Sequence, residues 1–321
     1  MKEDLVTCAF STYNCYETLE NAIYSAFNQT YKNIEILVVD DNSTDDTKEL
    51  IKKLKKKSNV PFRTIFNDKN IGIGSVRNIL VENSNGNYIA FFDDDDLSCS
   101  NRIFEQISLV KKYEKNSNLL DYSFSPICFS DRLIIDQKKK MICKSIYISE
   151  SDMFKEKIIG SLLSANSFPK TSSPGSTATC TFFARKESIL RVKGFKSELR
   201  RFEDLEFVIR ALINKVPIIK SESILVHQNN TIEKEKSHSR DYELVLIDIH
   251  KDWLMKRNLY DFSKAYINLK KNFLKINFKN TLFLIYYLFS NYPLRSLNKL
   301  FNSIRTIFFT ISSYIKFKNI Y

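Results

Sequence analysis

Five apolar residues followed at once by four aspartates constrain this chain more than any other stretch: Tyr88-Ile-Ala-Phe-Phe92, then Asp93–Asp96. A strand apolar at every position has no face for water, so it belongs inside a sheet covered on both sides, as parallel sheets are. Carboxylates packed that tightly repel one another and resist desolvation. They are tolerated where water covers them or where a positive charge sits among them. In open α/β sheets, the carboxyl ends of the strands open onto the crevice that takes ligands. A hard divalent cation, which prefers oxygen ligands and bridges to phosphates, is the simplest guest. The expectation is an enzyme that handles a nucleotide diphosphate.

The first hundred residues alternate strand and helix. Strands are predicted at 5–10, 34–39, 62–66 and 88–92, and helices at 16–28, 46–57 and 74–83. Near-continuous apolar strands alternating with helices argue for a doubly wound, mostly parallel sheet in an α/β fold. Beyond residue 120 the pattern loosens. Short strands are expected near 121–129, 132–136, 141–148, 181–184, 216–219 and 223–226, with helices at 149–160, 186–192 and 203–213. From about 237 everything reads as helix, with breaks near Asn277 and at Pro293. The expected division is a catalytic domain over 1–236, with halves 1–98 and 99–236, and a helical region over 237–321.

With 321 residues the chain can bury a sizeable core. Its six cysteines are scattered without a C-x-x-C pair, which suits reduced thiols in a cytoplasmic protein. The apolar run near Met1 is too short for a signal peptide, and no uninterrupted apolar run reaches the roughly 18 residues of a membrane span. Charge is unevenly placed. Residues 251–321 hold thirteen Lys/Arg against two Asp, a balance of +11 out of a total of +12. The same region is rich in Phe, Tyr, Leu and Ile, as in Thr281–Phe289 and Ile304–Ile311. Basic and strongly apolar together favour an anionic membrane surface over nucleic acid. The other reading is a helical subdomain that packs on the body or on a second copy of the chain.

The other strand ends on the ligand edge carry Ser11-Thr-Tyr-Asn14 and Asp40-Asp-Asn-Ser-Thr-Asp45. Tyr13 can stack on a base, and an Asp can accept an imide N–H. A polar turn with a helix cap explains Ser43–Asp45 equally, but not two acids on the strand's last residues. Asp40-x-Asn-x-Thr44 fails as an EF-hand loop, having Asp45 where glycine is required and Ile51 where glutamate is. Gly72-Ile-Gly74 fails as a dinucleotide fingerprint, with Arg77 at the third glycine position. Arg77 either touches donor phosphates or pins the acid cluster.

Taken in order, Ser11–Asn14, Val38–Asp45, Asn70-x-Gly72 with Arg77-Asn78, and Gly86–Asp96 resemble the nucleotide-binding half of family 2 glycosyltransferases. The resemblance covers roughly residues 4–230. It implies the GT-A fold, a nucleotide-sugar donor, and a divalent metal, Mn²⁺ or Mg²⁺, on a D-x-D element. Carried onto this chain, it puts Ser11, Tyr13 and Asp41 around the base with Asp40 beside them, and Asp93 and Asp94 near ribose and phosphates. Asp95 becomes the main metal ligand with Asp93, the register within 93–96 staying open by one. Gly194-Phe195 followed by Arg200-Arg-Phe-Glu-Asp204 is similar to the family's acceptor-side motif, with Asp204 as general base and Glu203 raising its pKa by like-charge repulsion. Acids at a helix start also have a purely structural reading. Arg200 and Arg201 clamp phosphate or balance the acids. His227 completes the metal shell or is structural, and Gln228–Ser237 is a candidate lid.

These expectations describe an inverting transferase that moves a sugar, by preference from a UDP-sugar, to a saccharide acceptor, lipid-diphosphate-linked, at the inner membrane face. The alternatives are a metal-dependent nucleotidyltransferase, which lacks an early basic phosphate loop here, and a non-catalytic, membrane-docked binding module. A processive synthase lacks its Gln-x-x-Arg-Trp element, the one tryptophan being Trp253.

Overall fold

The computed structural model describes residues 4–135, 140–146, 152–164, 175–229 and 239–301. Residues 230–237 of the candidate lid, residues 171–174 and the Ile304–Ile311 stretch lie outside them. The chain divides into two compact units. One comprises Met1–Glu150 and Thr171–Lys234; the other comprises Ser151–Lys170 and Glu235–Tyr321.

The first unit starts with four parallel strands in the order β3-β2-β1-β4: β1 (Val6–Thr12), β2 (Ile34–Asp40), β3 (Phe62–Phe66) and β4 (Tyr88–Asp93). Helices α1 (Tyr16–Phe27), α2 (Thr47–Lys57) and α3 (Ile73–Asn83) make the crossovers. Every residue of β2 is buried, as are the first five of β4, which is why neither strand alternates in sequence. One core layer gathers Phe10, Ile36, Val38, Tyr88 and Phe92 with Leu19 and Ile23 of α1 and Leu50, Ile51 and Leu54 of α2.

The sheet then changes character. After the short β5 (Leu97–Ser98) and α4 (Arg102–Asn116) come β6 (Ile127–Ile135), β7 (Lys140–Cys143), α5 (Asp152–Leu162, in the second unit), β8 (Phe183–Arg185), α6 (Lys186–Arg191), α7 (Glu203–Ile213) and β9 (Ile218–Asn229). The order continues from β4 through β8, β6 and β9 to β5, with β8 antiparallel to both neighbours and β7 hanging antiparallel from β6. Two predicted pairs of short strands are each one strand. β6 replaces the pieces at 121–129 and 132–136, with a 3-10 turn at Tyr122–Phe124 before it. β9 replaces those at 216–219 and 223–226: its pairing with β6 jumps from Ser221 to Ile224, a bulge that interrupts the two-residue period.

Under the second half lies an aromatic cluster. Phe195 stacks on Phe207 of α7 at 4.7 Å, and Phe182 meets Phe91, Phe129 and Phe207 edge-on or tilted. Contacts of this kind fix ring orientation beyond the area they bury, so they set the start of α7 relative to the end of β4. Asn78 of α3 adds a two-way bridge, accepting from the Phe195 N–H at 2.7 Å and donating to the Phe195 carbonyl at 2.8 Å. Gly194, at φ +63, stands where a Cβ would come within 2.4 Å of the Asn78 amide oxygen.

The second unit contains α8 (Ser239–Ile249), α9 (Lys251–Met255), α10 (Tyr260–Leu274) and α11 (Phe278–Asn291). Asn277 caps α11, its side chain accepting from the Asn280 N–H, and α11 ends just before Pro293. α10 and α11 pack through Phe262, Ala265 and Leu288. Among the described residues, no helix is long and apolar enough to cross a membrane.

Candidate active site

The ends of β1, β2 and β4 open on one side of the sheet, and there a cleft of about 440 Å³ is lined by Ser11, Tyr13, Cys15, Asp41, Asn70, Gly72, Arg77, Asp93, Asp94, Asp95 and Arg200, among others. Parallel register puts Thr12 beside Asp40 and Ser11 beside Asp93, so three separate stretches of sequence meet.

The first two loops are laced together. Asn14, at φ +53, donates its N–H to Ser43 Oγ at 2.9 Å and accepts from the Thr44 N–H at 2.8 Å. Asp45 accepts from the first N–H of α2, at Thr47, a helix-start contact foreseeable from its position. Asp41 is buried and nearly saturated: one oxygen accepts from Asn67 Nδ2 and the Ile71 N–H, the other from the Gly72 N–H, all at 2.9 Å. It therefore pins the loop 67–72. Gly72, at φ +86, supplies the turn into α3 that a side chain would strain. Tyr13 is left 46% exposed at the rim with its ring face available. Asp40 is fully buried, accepts from the Ser43 N–H at 3.0 Å, keeps its other oxygen unpartnered, and does not line the cleft.

The acid run splits in two. Asp93, Asp94 and Asp95 face the cleft. Asp96 turns inward, one oxygen accepting from the Asn229 N–H at 3.1 Å and the other buried without a partner. Burial, reinforced by Asp93 and Asp95, pushes the Asp96 carboxyl up to about 8. Burial also raises Asp94, to about 6, with Asp95 and Asp93 adding to it. Asp93 rises through burial as well, against the pull of Arg77. Asp93, Asp96 and Cys180 have potential ligand atoms within 4.8 Å of one another. Burial lifts the Cys180 thiol well above its usual range, so this is a poor thiolate donor beside two carboxyls. Behind the run, fully buried Arg102 donates to the Phe91 and Phe182 carbonyls at 2.8 and 3.2 Å and lies over the Phe92 ring.

Arg77 joins the two halves. It is buried, pairs with Glu203 at the start of α7 and lies 3.9 Å from Asp93. Burial opposes its charge, but Glu203, Asp93 and Asp204 together hold its pKa above the ordinary value. Asp204 accepts from the Leu205 N–H at 2.7 Å and from Thr177 Oγ1 at 3.4 Å. Burial and then Glu203 push it up to about 7. The preceding residue, Phe202, is left-handed at φ +63, which turns the chain sharply into α7. Asp204 does not line the cleft itself; it is tied to it through Glu203 and Arg77.

His227 lies in β9, paired with Leu133 and with Leu97, the residue that follows Asp96; it is not among the residues that line the cleft or form the Asp93–Asp96–Cys180 cluster. Reading the sequence missed Cys180 and Arg102, which have no local signature.

The family model "Glycosyl transferase family 2" matches residues 7–149. Over 108 residues the chain is 39% identical to UDP-Glc:alpha-D-GlcNAc-diphosphoundecaprenol beta-1,3-glucosyltransferase WfaP of Escherichia coli, a match spanning 34% of this chain and 42% of that protein. It is 34% identical to WfgD of the same organism, of the same described activity, over 35% of this chain and 43% of that one. The chain thus spans about two-fifths of the length of these relatives. Among solved structures, S. aureus TarS 1–349 in complex with UDP superposes with a TM-score of 0.52 at 18% identity, over 90% of this chain and 73% of that one. The mannosyltransferase PcManGT from Pyrobaculum calidifontis, in complex with GDP-Man and Mn²⁺, superposes with a TM-score of 0.53 at 13% identity, over 94% and 79%. The fold is GT-A, and within it residues 7–149 are similar to glycosyl transferase family 2.

Proposed function

We propose that the protein transfers a sugar from a UDP-sugar to a saccharide carried on a lipid diphosphate, with inversion at the anomeric carbon. One observation carries this reading: Tyr13, Asp41, Arg77 and Asp93–Asp95, from four separate stretches, line a single cleft of nucleotide size whose far side leads through Glu203 to Asp204. The two Escherichia coli relatives act on a diphosphoundecaprenol-linked acceptor, and TarS binds UDP.

In this reading Tyr13 stacks on the base, and Asp41 accepts its imide N–H through the oxygen that carries only one donor. Ser11 and Asp94 bound the ribose, and Arg77 and Arg200 face the diphosphate. Asp93 and Asp95 hold a divalent cation, Mn²⁺ or Mg²⁺. Three cleft-facing carboxyls, of which burial raises Asp93 and burial with its acid neighbours raises Asp94, form the kind of oxygen donor set such an ion relieves. When bound, the cation neutralises charge on the departing diphosphate. Asp204 takes the proton of the acceptor hydroxyl as that oxygen attacks the sugar from the opposite face. Its carboxyl, pushed up to about 7, is suited to this: basic enough to hold the proton, and about half ionised at neutral pH. An α-linked donor then gives a β product. The basic C-terminal region holds a cytoplasmic protein at the inner face of the membrane.

The test is release of UDP from a panel of UDP-sugars, with a polyprenyl-diphosphate-linked saccharide as acceptor, with Mn²⁺ and with EDTA. Metal-dependent release that requires the acceptor supports the reading. A nucleoside monophosphate or pyrophosphate product would replace it with nucleotidyl transfer.

A further inference from the structure

Among the described residues, the second unit leaves an apolar face exposed. One side of α11 is spent on packing: Thr281 and Leu288 are buried, and Leu284 and Tyr287 join the cluster around Phe262 of α10. The opposite side presents Phe278, Leu282, Ile285, Tyr286 and Phe289, spaced so that they form one stripe along the helix. Phe278, Leu282 and Tyr286 are 71%, 66% and 72% exposed, and Phe273 and Ile276, at the turn from α10 into α11, are each 70% exposed. A helix apolar on both sides is normally covered on both, and a contiguous patch of this kind marks an interaction surface.

Charge decides what covers it. Lys275 and Lys279 flank Ile276 and Phe278, and neither has a carboxylate partner among the described residues. Lys270 and Lys271, by contrast, pair with Glu243 and Asp241. The stretch 251–321 has a balance of +11. A second copy docking through the same face would bring two such stretches together, and like charges oppose that. A surface that is negative outside and hydrocarbon within matches both properties. Ile285 and Phe289 also form one wall of a cavity of about 350 Å³ between α10 and α11, lined otherwise by residues such as Phe262, Tyr266 and Leu269, with Lys299 its one charged lining residue. The stripe is therefore continuous with an apolar recess that an acyl chain can enter beside an amine.

We propose that the outward face of α10–α11 docks on an anionic lipid bilayer, with Phe273, Ile276, Phe278, Leu282 and Tyr286 inserted at the headgroup boundary and Lys275 and Lys279 against lipid phosphates. Aromatic and aliphatic side chains seat at that depth, and each lysine near a negative leaflet strengthens binding. The proposal deepens the membrane placement given above. Vesicle binding is measured without any sugar transfer, so it stands or fails separately from the catalytic reading.

The experiment is co-sedimentation of the full chain with vesicles of phosphatidylcholine alone and of phosphatidylcholine mixed with phosphatidylglycerol. Binding is expected to the mixed vesicles only and to be reversed by salt. Two double variants probe the two components, Leu282→Glu with Tyr286→Glu, and Lys275→Glu with Lys279→Glu. Each is expected to weaken binding at least about tenfold, with UDP affinity unchanged as the control for folding. Equal binding to neutral vesicles, or no loss in either variant, overturns the proposal. So does a dimer in sedimentation equilibrium that Leu282→Glu with Tyr286→Glu dissociates while the wild type ignores vesicles.

Discussion

Asp41 and Asp204 are carboxylates on the two sides of one site, and their surroundings differ. Three N–H donors hold Asp41, and through them it fixes the loop that leads to Gly72 and Arg77. Asp204 has one close donor, the Leu205 N–H, and a long one from Thr177, and it stands beside Glu203. Burial and that neighbour raise it to about 7. A carboxylate saturated with donors positions; one that is buried, under-supplied and beside a like charge exchanges a proton at neutral pH. In the proposed function the nucleotide half of the site holds shape and the acceptor half does the chemistry.

Removing the proton acceptor tests that contrast most severely. Asp204→Asn is expected to cut turnover on the order of a thousandfold, the scale of lost general-base catalysis, and leave UDP affinity within a few-fold. Steady-state UDP release with calorimetric UDP binding would show the split; a parallel loss in both would make Asp204 a binding residue. Asp41→Ala should give the reverse pattern. It strands two backbone N–H groups of a buried loop, a cost of about 2–4 kcal/mol, so thermal melting falls and UDP affinity falls with it, while the residual enzyme keeps its turnover number. Unchanged melting would show that the loop needs no such anchor.

Acid should act on turnover through Asp204. Because Asp204 is raised to about 7, its basic form is lost as pH falls through that value. Turnover should therefore climb with pH, level off above about 8, and at pH 6 stand near a tenth of its plateau. In Asp204→Asn this limb should vanish; its survival would assign it to another group. The smallest effect is expected at the rim. Tyr13→Ala removes a half-exposed stacking surface, worth roughly tenfold in UDP affinity, with turnover at saturation unchanged.

How far the sequence reveals this architecture depends on where polar residues fall. β1 to β4 and their helices are legible because their buried positions are almost all apolar, and in β2 and β4 the acids directly follow the last apolar residue. α4 is a fifteen-residue helix with no expectation behind it. Its buried face repeats with helical spacing, but Arg102, Gln106 and Glu114 occupy it alongside Ile103, Ile107 and Val110. Arg102 and Gln106 are buried because carbonyls of β4, β6 and the turn before β8 need donors there. β9 reads as two strands because Glu222 and Ser223 fall in the bulge. In the site, the ligand-edge loops can be read from local runs, whereas the Arg77–Glu203 pair spans 126 residues and Thr177–Asp204 spans 27, contacts that only the folded chain brings together.

The central claim is that the cleft under Asp41, Arg77 and Asp93–Asp95 is a metal-dependent site for a nucleoside diphosphate. Titration calorimetry of UDP into the wild type and Asp95→Ala, each with Mn²⁺ and with EDTA, addresses it directly. Binding to the wild type is expected to be strong with metal and weak without it, and binding to Asp95→Ala weak in both conditions. Equal affinity in all four titrations, or no binding of UDP at all, would contradict it.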